Sequence, residues 1–175
     1  APGPQFQSSA PVARIAYSLV ENSVARQKYQ RALDKAAFAD ADAGRNVVMA
    51  VYTADLDDNR GDLFTAVGLG RYLARIGYEV VYLPRNPWYE MPRGTNIFVS
   101  LLETVDLRRL PDDVETVAWI RNQTRAWLGQ PWLTWYDRIL CSSQTSIEAV
   151  AAVYPGPVSL LPIGVDPELF NLRGM

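Results

Sequence analysis

Apolar and polar residues alternate in blocks from residue 46 onwards. Six short apolar runs have the length and the branched residues of strands buried on both faces of a sheet: 46–52, 78–83, 96–101, 114–120, 138–141 and 158–162. Between the first two runs, apolar residues recur every three or four positions, which predicts a helix that Asp62 caps and Gly77 ends. Strand–helix–strand units place their strands in parallel. The pattern therefore predicts an α/β fold: a Rossmann-like open parallel sheet of about six strands with helices on both faces.

Two other segments have a helical pattern. Residues 143–153 follow the fifth strand, and residues 24–39 precede the sheet behind an arm rich in proline, glycine, glutamine and serine. The polar face of the earlier helix is basic, and such a helix either packs against its own domain or associates peripherally with a membrane surface. We divide the chain into an N-terminal arm and helix (1–43), a Rossmann-like domain (44–171) and the start of a linker (172–175).

The composition excludes several classes of protein. Seventeen basic and 19 acidic residues give a net charge of -2, so the chain as a whole has no field that attracts nucleic acid. It contains no histidine, which removes imidazole as a base or a metal ligand, and its one cysteine, Cys141, excludes an internal disulfide and cysteine-rich zinc motifs. We expect no metal site. The N-terminal residues lack a signal-peptide pattern, so we expect a soluble, cytoplasmic protein.

Parallel sheets bind ligands beyond the carboxyl ends of their strands, near the point where the strand order reverses. That rule selects the loops 54–62, 121–123 and 142–144. The candidate residues for a ligand-binding cleft are polar or permit close approach of a ligand: Asp55, Asp58, Asn59, Arg60, Gly61, Arg121, Asn122, Ser142 and Ser143. The candidate catalytic residue is Asp57.

The loop between the first strand and the helix that follows it carries four carboxylates between Asp55 and Asp62. An acidic residue at a helix start is a good cap, which gives Asp62 a structural role. Asp55, Asp57 and Asp58 are candidates for binding sugar hydroxyls or acting as a base, because like charges close together raise carboxyl pKa values when they are buried. The alternative is a solvent-exposed acidic turn.

An aromatic and arginine-rich stretch follows the fourth strand. Its members are Trp119, Arg121, Arg125, Trp127, Trp132, Trp135 and Tyr136. Sugars stack on aromatic faces, so this stretch is a candidate lining for an acceptor groove. The other interpretations are packing of the rings in the core and stacking of single-stranded nucleic acid, which the acidic composition disfavours.

One apparent cofactor motif is rejected. The segment from Gly68 to Leu73 begins like the dinucleotide fingerprint G-x-G-x-x-G, but its third glycine position holds Leu73. Its glycines also fall inside the predicted helix, where close packing explains them better than a phosphate-binding turn. A nucleotide-dependent oxidoreductase is therefore not supported.

Three segments carry a resemblance to one family. Residues 136–143 combine an aspartate, an apolar strand and a pair of serines, and 160–170 read Leu-Leu-Pro-Ile-Gly-Val-Asp-Pro-Glu-Leu-Phe. These segments resemble GT-B glycosyltransferases of the family 4 type, in which an apolar-Pro-Asn-Gly-Val-Asp segment ends the N-terminal domain. Residues 61–81 are similar to the family's first crossover. The chain departs from the family at Ile163, at Tyr78, and at Arg121 and Asn122, where the family has Asn, His and often a His that ends the fourth strand.

The resemblance covers residues 45–171 and implies one half of a GT-B fold. It implies the acceptor-side domain of an enzyme that moves a sugar from a nucleotide-sugar donor to a glycan or another hydroxyl acceptor. In the family the donor binds a second Rossmann-like domain, and the sequence stops at Met175, before such a domain. We therefore expect no cofactor in this chain and no sugar transfer by it alone. The alternative is a non-catalytic glycan-binding or assembly module.

Overall fold

The computed structural model describes residues 46–58 and 60–164 of the 175-residue chain. The predicted helix at 24–39, the boundaries at 43–44 and 171–172, and the candidate residue Asn59 lie outside the described residues. The strands are β1 (Asn46–Ala50), β2 (Glu79–Leu83), β3 (Ile97–Ser100), β4 (Glu115–Ile120), β5 (Arg138–Cys141) and β6 (Val158–Leu160). The helices are α1 (Gly61–Arg75), α2 (Thr124–Leu128) and α3 (Gln144–Ala151).

The six strands form one sheet in the order β2-β1-β3-β4-β5-β6, and every pair of neighbours is parallel. Because β2 lies outside β1 while β3 lies on the other side, the strand order reverses between β1 and β3. The predicted α/β, Rossmann-like parallel sheet is confirmed. All six carboxyl ends meet at one edge, hereafter the carboxyl edge.

Helices cover both faces of the sheet, and alternate residues of β1 therefore pack in two separate cores, one on each face. Val47 and Met49 pack in the core that includes Leu63 and Ala66 of α1. The other face, with Val48 and Ala50, packs in a core that includes side chains of α2 and α3. The buried residues of that second core include Trp127, Trp135, Tyr136, Val150 and Tyr154. Buried strands with apolar residues at every position are what a sheet covered on both faces requires.

Helix α1 differs from the prediction at its start and agrees with it at its end. Its N-cap is Arg60, which makes no side-chain capping bond, so the prediction that Asp62 is the cap is wrong. Asp62 is the second residue of the helix, in its first turn, and its carboxylate accepts a hydrogen bond from the Tyr52 N–H. Gly77 ends the helix with φ of 91°, and the Tyr78 N–H donates to the Leu73 carbonyl across it. That left-handed position suits glycine.

Candidate functional site

Arg121 connects the carboxyl end of β4 to the start of α1. Its Nη1 donates to the Gly61 carbonyl at 3.3 Å and to Thr65 Oγ1 at 3.2 Å, and its Nη2 donates to the Leu101 carbonyl at 3.3 Å. The side chain therefore spans the end of β3, next to the point where the strand order reverses. Burial lowers the pKa of the Arg121 guanidinium, and the charge of Asp62 opposes that shift. Arg121 stays a cation and holds this part of the edge together.

Ser142 extends the same connection to β5. Its hydroxyl donates to the Arg121 carbonyl at 2.8 Å, and its N–H donates to the Ile120 carbonyl at 3.0 Å. The structure thus brings three sequence-predicted residues together: Gly61, Arg121 and Ser142 form one chain of hydrogen bonds at the carboxyl edge.

Ser143 has a structural partner on the next helix. It is the N-cap of α3, where its Oγ accepts from the Ser146 N–H at 3.2 Å. The Ser146 hydroxyl also lies 2.8 Å from Thr124 Oγ1, so this group links α3 to α2. Capping satisfies an N–H that the helix itself leaves without a partner.

The acidic turn is exposed to solvent. Asp55 accepts from the Asp57 N–H at 3.0 Å through its side chain, and its own N–H donates to Thr53 Oγ1 at 3.1 Å. These bonds shape a short 3₁₀ turn at Leu56–Asp58. Asp55, Asp57 and Asp58 are all exposed, so the burial on which the hypothesis of a perturbed base depends is not present in the described structure. What the turn offers is a set of acceptors open to hydroxyl groups.

Four rings of the aromatic stretch lie in the core, whereas Trp132 is half-buried. Trp119, Trp127, Trp135 and Tyr136 are each at most 5% exposed, which excludes them from stacking on a sugar in this conformation. The core-packing interpretation is therefore the one that fits these four rings. The Trp119 indole also donates to the Leu161 carbonyl at 3.1 Å, tying the last described segment to the sheet.

Asn122 lies in an exposed position directly after Arg121. The next residue, Gln123, has φ of 51°, a left-handed conformation that is uncommon outside glycine, asparagine and aspartate. Because Gln123 is the N-cap of α2, this left-handed residue separates exposed Asn122 from the first residue of that helix. Asn122 is therefore available to a ligand at the carboxyl edge.

The sequence pattern does not single out Tyr52 and Arg85, which lie at this edge beside the candidate residue Arg60. The guanidinium carbon of Arg60 lies 4.2 Å from the centre of the Tyr52 ring, and that of Arg85 lies 5.6 Å from the same centre. Tyr52 and Arg85 are neighbours because the pairing of β1 with β2 continues past the strand ends, where the Arg85 N–H donates to the Tyr52 carbonyl at 3.1 Å. Parallel pairing of the apolar runs 46–52 and 78–83 was the feature of the sequence from which Tyr52 and Arg85 could have been identified as neighbours.

The rejected dinucleotide motif lies inside α1, as predicted. A Cβ on Gly70 would collide with the Tyr82 hydroxyl of β2, so this glycine serves close packing of helix on sheet. Gly68 faces open space and has no such role. Neither glycine lies in a turn between a strand and a helix, where phosphate would bind.

Within residues 46–58 and 60–164, no helix is both long enough and apolar enough to cross a lipid bilayer. When the chain is compared with models of protein families, with curated proteins and with solved structures, none of the three comparisons gives a match.

Proposed function

We propose that this chain is the acceptor-side domain of a GT-B glycosyltransferase, which moves a sugar from a nucleotide-sugar donor to a glycan or another hydroxyl acceptor. The observation that carries the proposal is the carboxyl edge of the parallel sheet. There Gly61, Arg121 and Ser142 are joined by hydrogen bonds beside the point where the strand order reverses. Such a point is where open α/β sheets bind their ligands.

The position of the resembling segments supports the proposal. The segment that resembles the family's end-of-domain motif begins in β6, an outer strand of the sheet, and leaves it at the carboxyl edge through Leu161 to Gly164. A second domain attached there would face the exposed loops after β1 and β4. In this arrangement the acceptor binds on the described edge, and the donor binds on the second domain.

The exposed side chains suggest how an acceptor would be held. Asp55, Asp57 and Asp58 accept hydrogen bonds from hydroxyls, and the Asn122 amide both donates and accepts. Closure of a second domain would exclude water from Asp57, and that is the condition under which a carboxylate becomes a useful base. The donor diphosphate would leave as an anion that backbone N–H groups and cations stabilise.

One observation favours the alternative, a non-catalytic glycan-binding or assembly module. Asp57 is exposed and its carboxylate is not oriented by a hydrogen bond from a described neighbour, whereas a catalytic base is usually held in place. Such a module would keep the hydroxyl-binding edge without needing a base.

The test compares the 175-residue chain with the product of the complete reading frame. We expect glycan binding by both, and release of nucleoside diphosphate from a nucleotide sugar only when a donor-binding domain is present. Asp57→Asn should abolish turnover by the longer protein and leave glycan binding within about twofold. Unchanged turnover in that variant would remove Asp57 from the mechanism, and glycan binding without turnover by any form would establish the non-catalytic alternative.

We also place the protein in the cytoplasm. The one cysteine, Cys141, is fully buried, and burial raises the pKa of its thiol, so it is an inert core residue. A chain with one buried cysteine suits a reducing compartment. Localisation of a fluorescent fusion in the native cell would test this.

A further inference from the structure

Two arginines converge on one exposed tyrosine at the outer end of the carboxyl edge. Arg60 and Arg85 lie 4.2 Å and 5.6 Å from the centre of the Tyr52 ring, so their guanidinium groups are no further apart than the sum of these distances. Tyr52 is 38% exposed, and both arginines are exposed. Two cations repel each other, and the ring face offsets only part of that repulsion. The arrangement favours a third, negatively charged group.

The described carboxylates do not supply that group. Within residues 46–58 and 60–164, Arg108 pairs with Asp106 and Arg138 pairs with Glu115, but neither Arg60 nor Arg85 has a carboxylate within ion-pair distance. Asp57 and Asp58, in the turn at Leu56–Asp58, have exposed side chains, and the carboxylate of Asp62 accepts a hydrogen bond from the Tyr52 N–H. With respect to the described part of the chain, both guanidinium groups therefore keep donors for a ligand.

The backbone that carries Arg85 is fixed. Its N–H donates to the Tyr52 carbonyl at 3.1 Å, and the buried Trp88 indole donates to the Val51 carbonyl at 2.8 Å. Between these two anchors, Asn86 adopts φ of 73° and ψ of -60°, a conformation that an asparagine takes only when its surroundings enforce it. A fixed backbone lowers the entropic cost of binding through Arg85.

The geometry points to an anion-binding site formed by Arg60, Arg85 and Tyr52, which takes a phosphate monoester carried by the acceptor. Guanidinium groups bind phosphate oxygens in pairs of parallel hydrogen bonds, and two of them fit a dianion better than a single carboxylate. Assigning the phosphate to the acceptor rests on the proposed function. The existence of the site does not, because binding can be measured without any transfer of sugar.

The experiment titrates the 175-residue chain with glucose 6-phosphate, glucose and UDP by calorimetry. We expect glucose 6-phosphate to bind and glucose to bind at least tenfold more weakly. Arg60→Gln and Arg85→Gln should each weaken glucose 6-phosphate binding about tenfold, and the double variant should abolish it. Tyr52→Phe keeps the ring and should bind normally, while Tyr52→Leu should weaken binding.

The matched control is Arg75→Gln. Arg75 also stacks on an exposed tyrosine, 4.8 Å from the centre of the Tyr72 ring, but it lies in the last turn of α1, at the opposite edge of the sheet. Its substitution should leave binding unchanged. Circular dichroism of every variant checks the fold, which these exposed positions should not disturb.

A further arm identifies the source of the phosphate. If vesicles containing phosphatidic acid compete with glucose 6-phosphate and vesicles of phosphatidylcholine do not, the acceptor is a phospholipid; if neither competes, it is a soluble phosphate ester. The inference is overturned if Arg60→Gln and Arg85→Gln leave phosphate binding intact, if no phosphate ester binds, or if only UDP binding depends on them. If sugar is transferred to an uncharged acceptor and neither substitution changes the rate, the inference is overturned and the proposed function stands.

Discussion

The carboxylate of Asp62 accepts a hydrogen bond of 2.6 Å from the backbone N–H of Tyr52, ten residues earlier in the chain. Asp62 is 8% exposed and its charge also acts on Arg121. One acidic side chain therefore fixes Tyr52, two residues past the end of β1, and balances the cation that follows β4. This bond connects Tyr52 to the first turn of α1.

Replacing Asp62 should destabilise the fold. In Asp62→Ala the Tyr52 N–H loses its acceptor and Arg121 loses the opposite charge of Asp62, which we expect to lower the free energy of unfolding by about 2 kcal/mol. Urea denaturation followed by fluorescence measures the change. Asp57→Ala is the matched control, because this exposed residue should change the stability by no more than about 0.5 kcal/mol. Equal effects of the two substitutions would contradict the assigned role.

Asp137 provides a second test of a buried polar link. Its Oδ2 accepts from the N–H and the hydroxyl of Thr116, each at 2.7 Å, and Thr116 is fully buried on β4. Asp137→Ala should cost about 2 kcal/mol, since two buried donors lose a charged acceptor. In a double-mutant cycle with Thr116→Val, the two losses should be less than additive. Strict additivity would show that the two side chains do not interact.

The two glycines in the middle of α1 should respond to alanine in opposite directions. Gly68→Ala places its methyl group in open space and should raise the free energy of unfolding by about 0.5–1 kcal/mol. Gly70→Ala should lower the free energy of unfolding, because its Cβ meets the Tyr82 hydroxyl. Thermal melting of both variants measures the difference, and Tyr82→Phe in the Gly70→Ala background should recover part of the loss. Stabilisation by both alanines would refute the packing role of Gly70.

Alkaline pH should weaken the fold through Tyr154. Burial raises the pKa of Tyr154 from 10.0 to about 12, and its hydroxyl donates to the Tyr136 carbonyl at 2.7 Å. The folded state thus keeps a proton that the unfolded state releases, so the stabilisation is complete below pH 10 and is lost as pH rises to about 12. Unfolding free energies measured across that window should fall, and they should fall less steeply in Tyr154→Phe. An identical slope in the variant would assign the effect to other tyrosines.

Several parts of the fold could be predicted from local pattern because their causes are local. The limits of β5 match its apolar run, and Gly77 ends α1 because a left-handed position favours glycine. By contrast, α2 was not predicted: at Thr124–Leu128 it has five residues, too few for a helical period to show. The cap of α1 was predicted wrongly at Asp62 because that carboxylate bonds outside its own helix.

The candidate site was predictable in its location and not in its contacts. Because parallel strands end at one edge, the sequence placed Gly61, Arg121 and Ser142 there. The sequence pattern did not indicate that Arg121 donates to Gly61, 60 residues away, or that Arg60 and Arg85 both contact the ring of Tyr52. It also left the exposure of Asp57 undecided.

The amino-acid sequence by itself therefore determined the alternation of strands and helices and the parallel sheet, since burial on both faces imposes a pattern on neighbouring residues. Only the tertiary structure decided which tryptophans are core, which carboxylates meet solvent and which arginines lack an anionic partner among the described residues. Those properties depend on contacts between residues far apart in the chain, and such contacts leave no periodic trace along it.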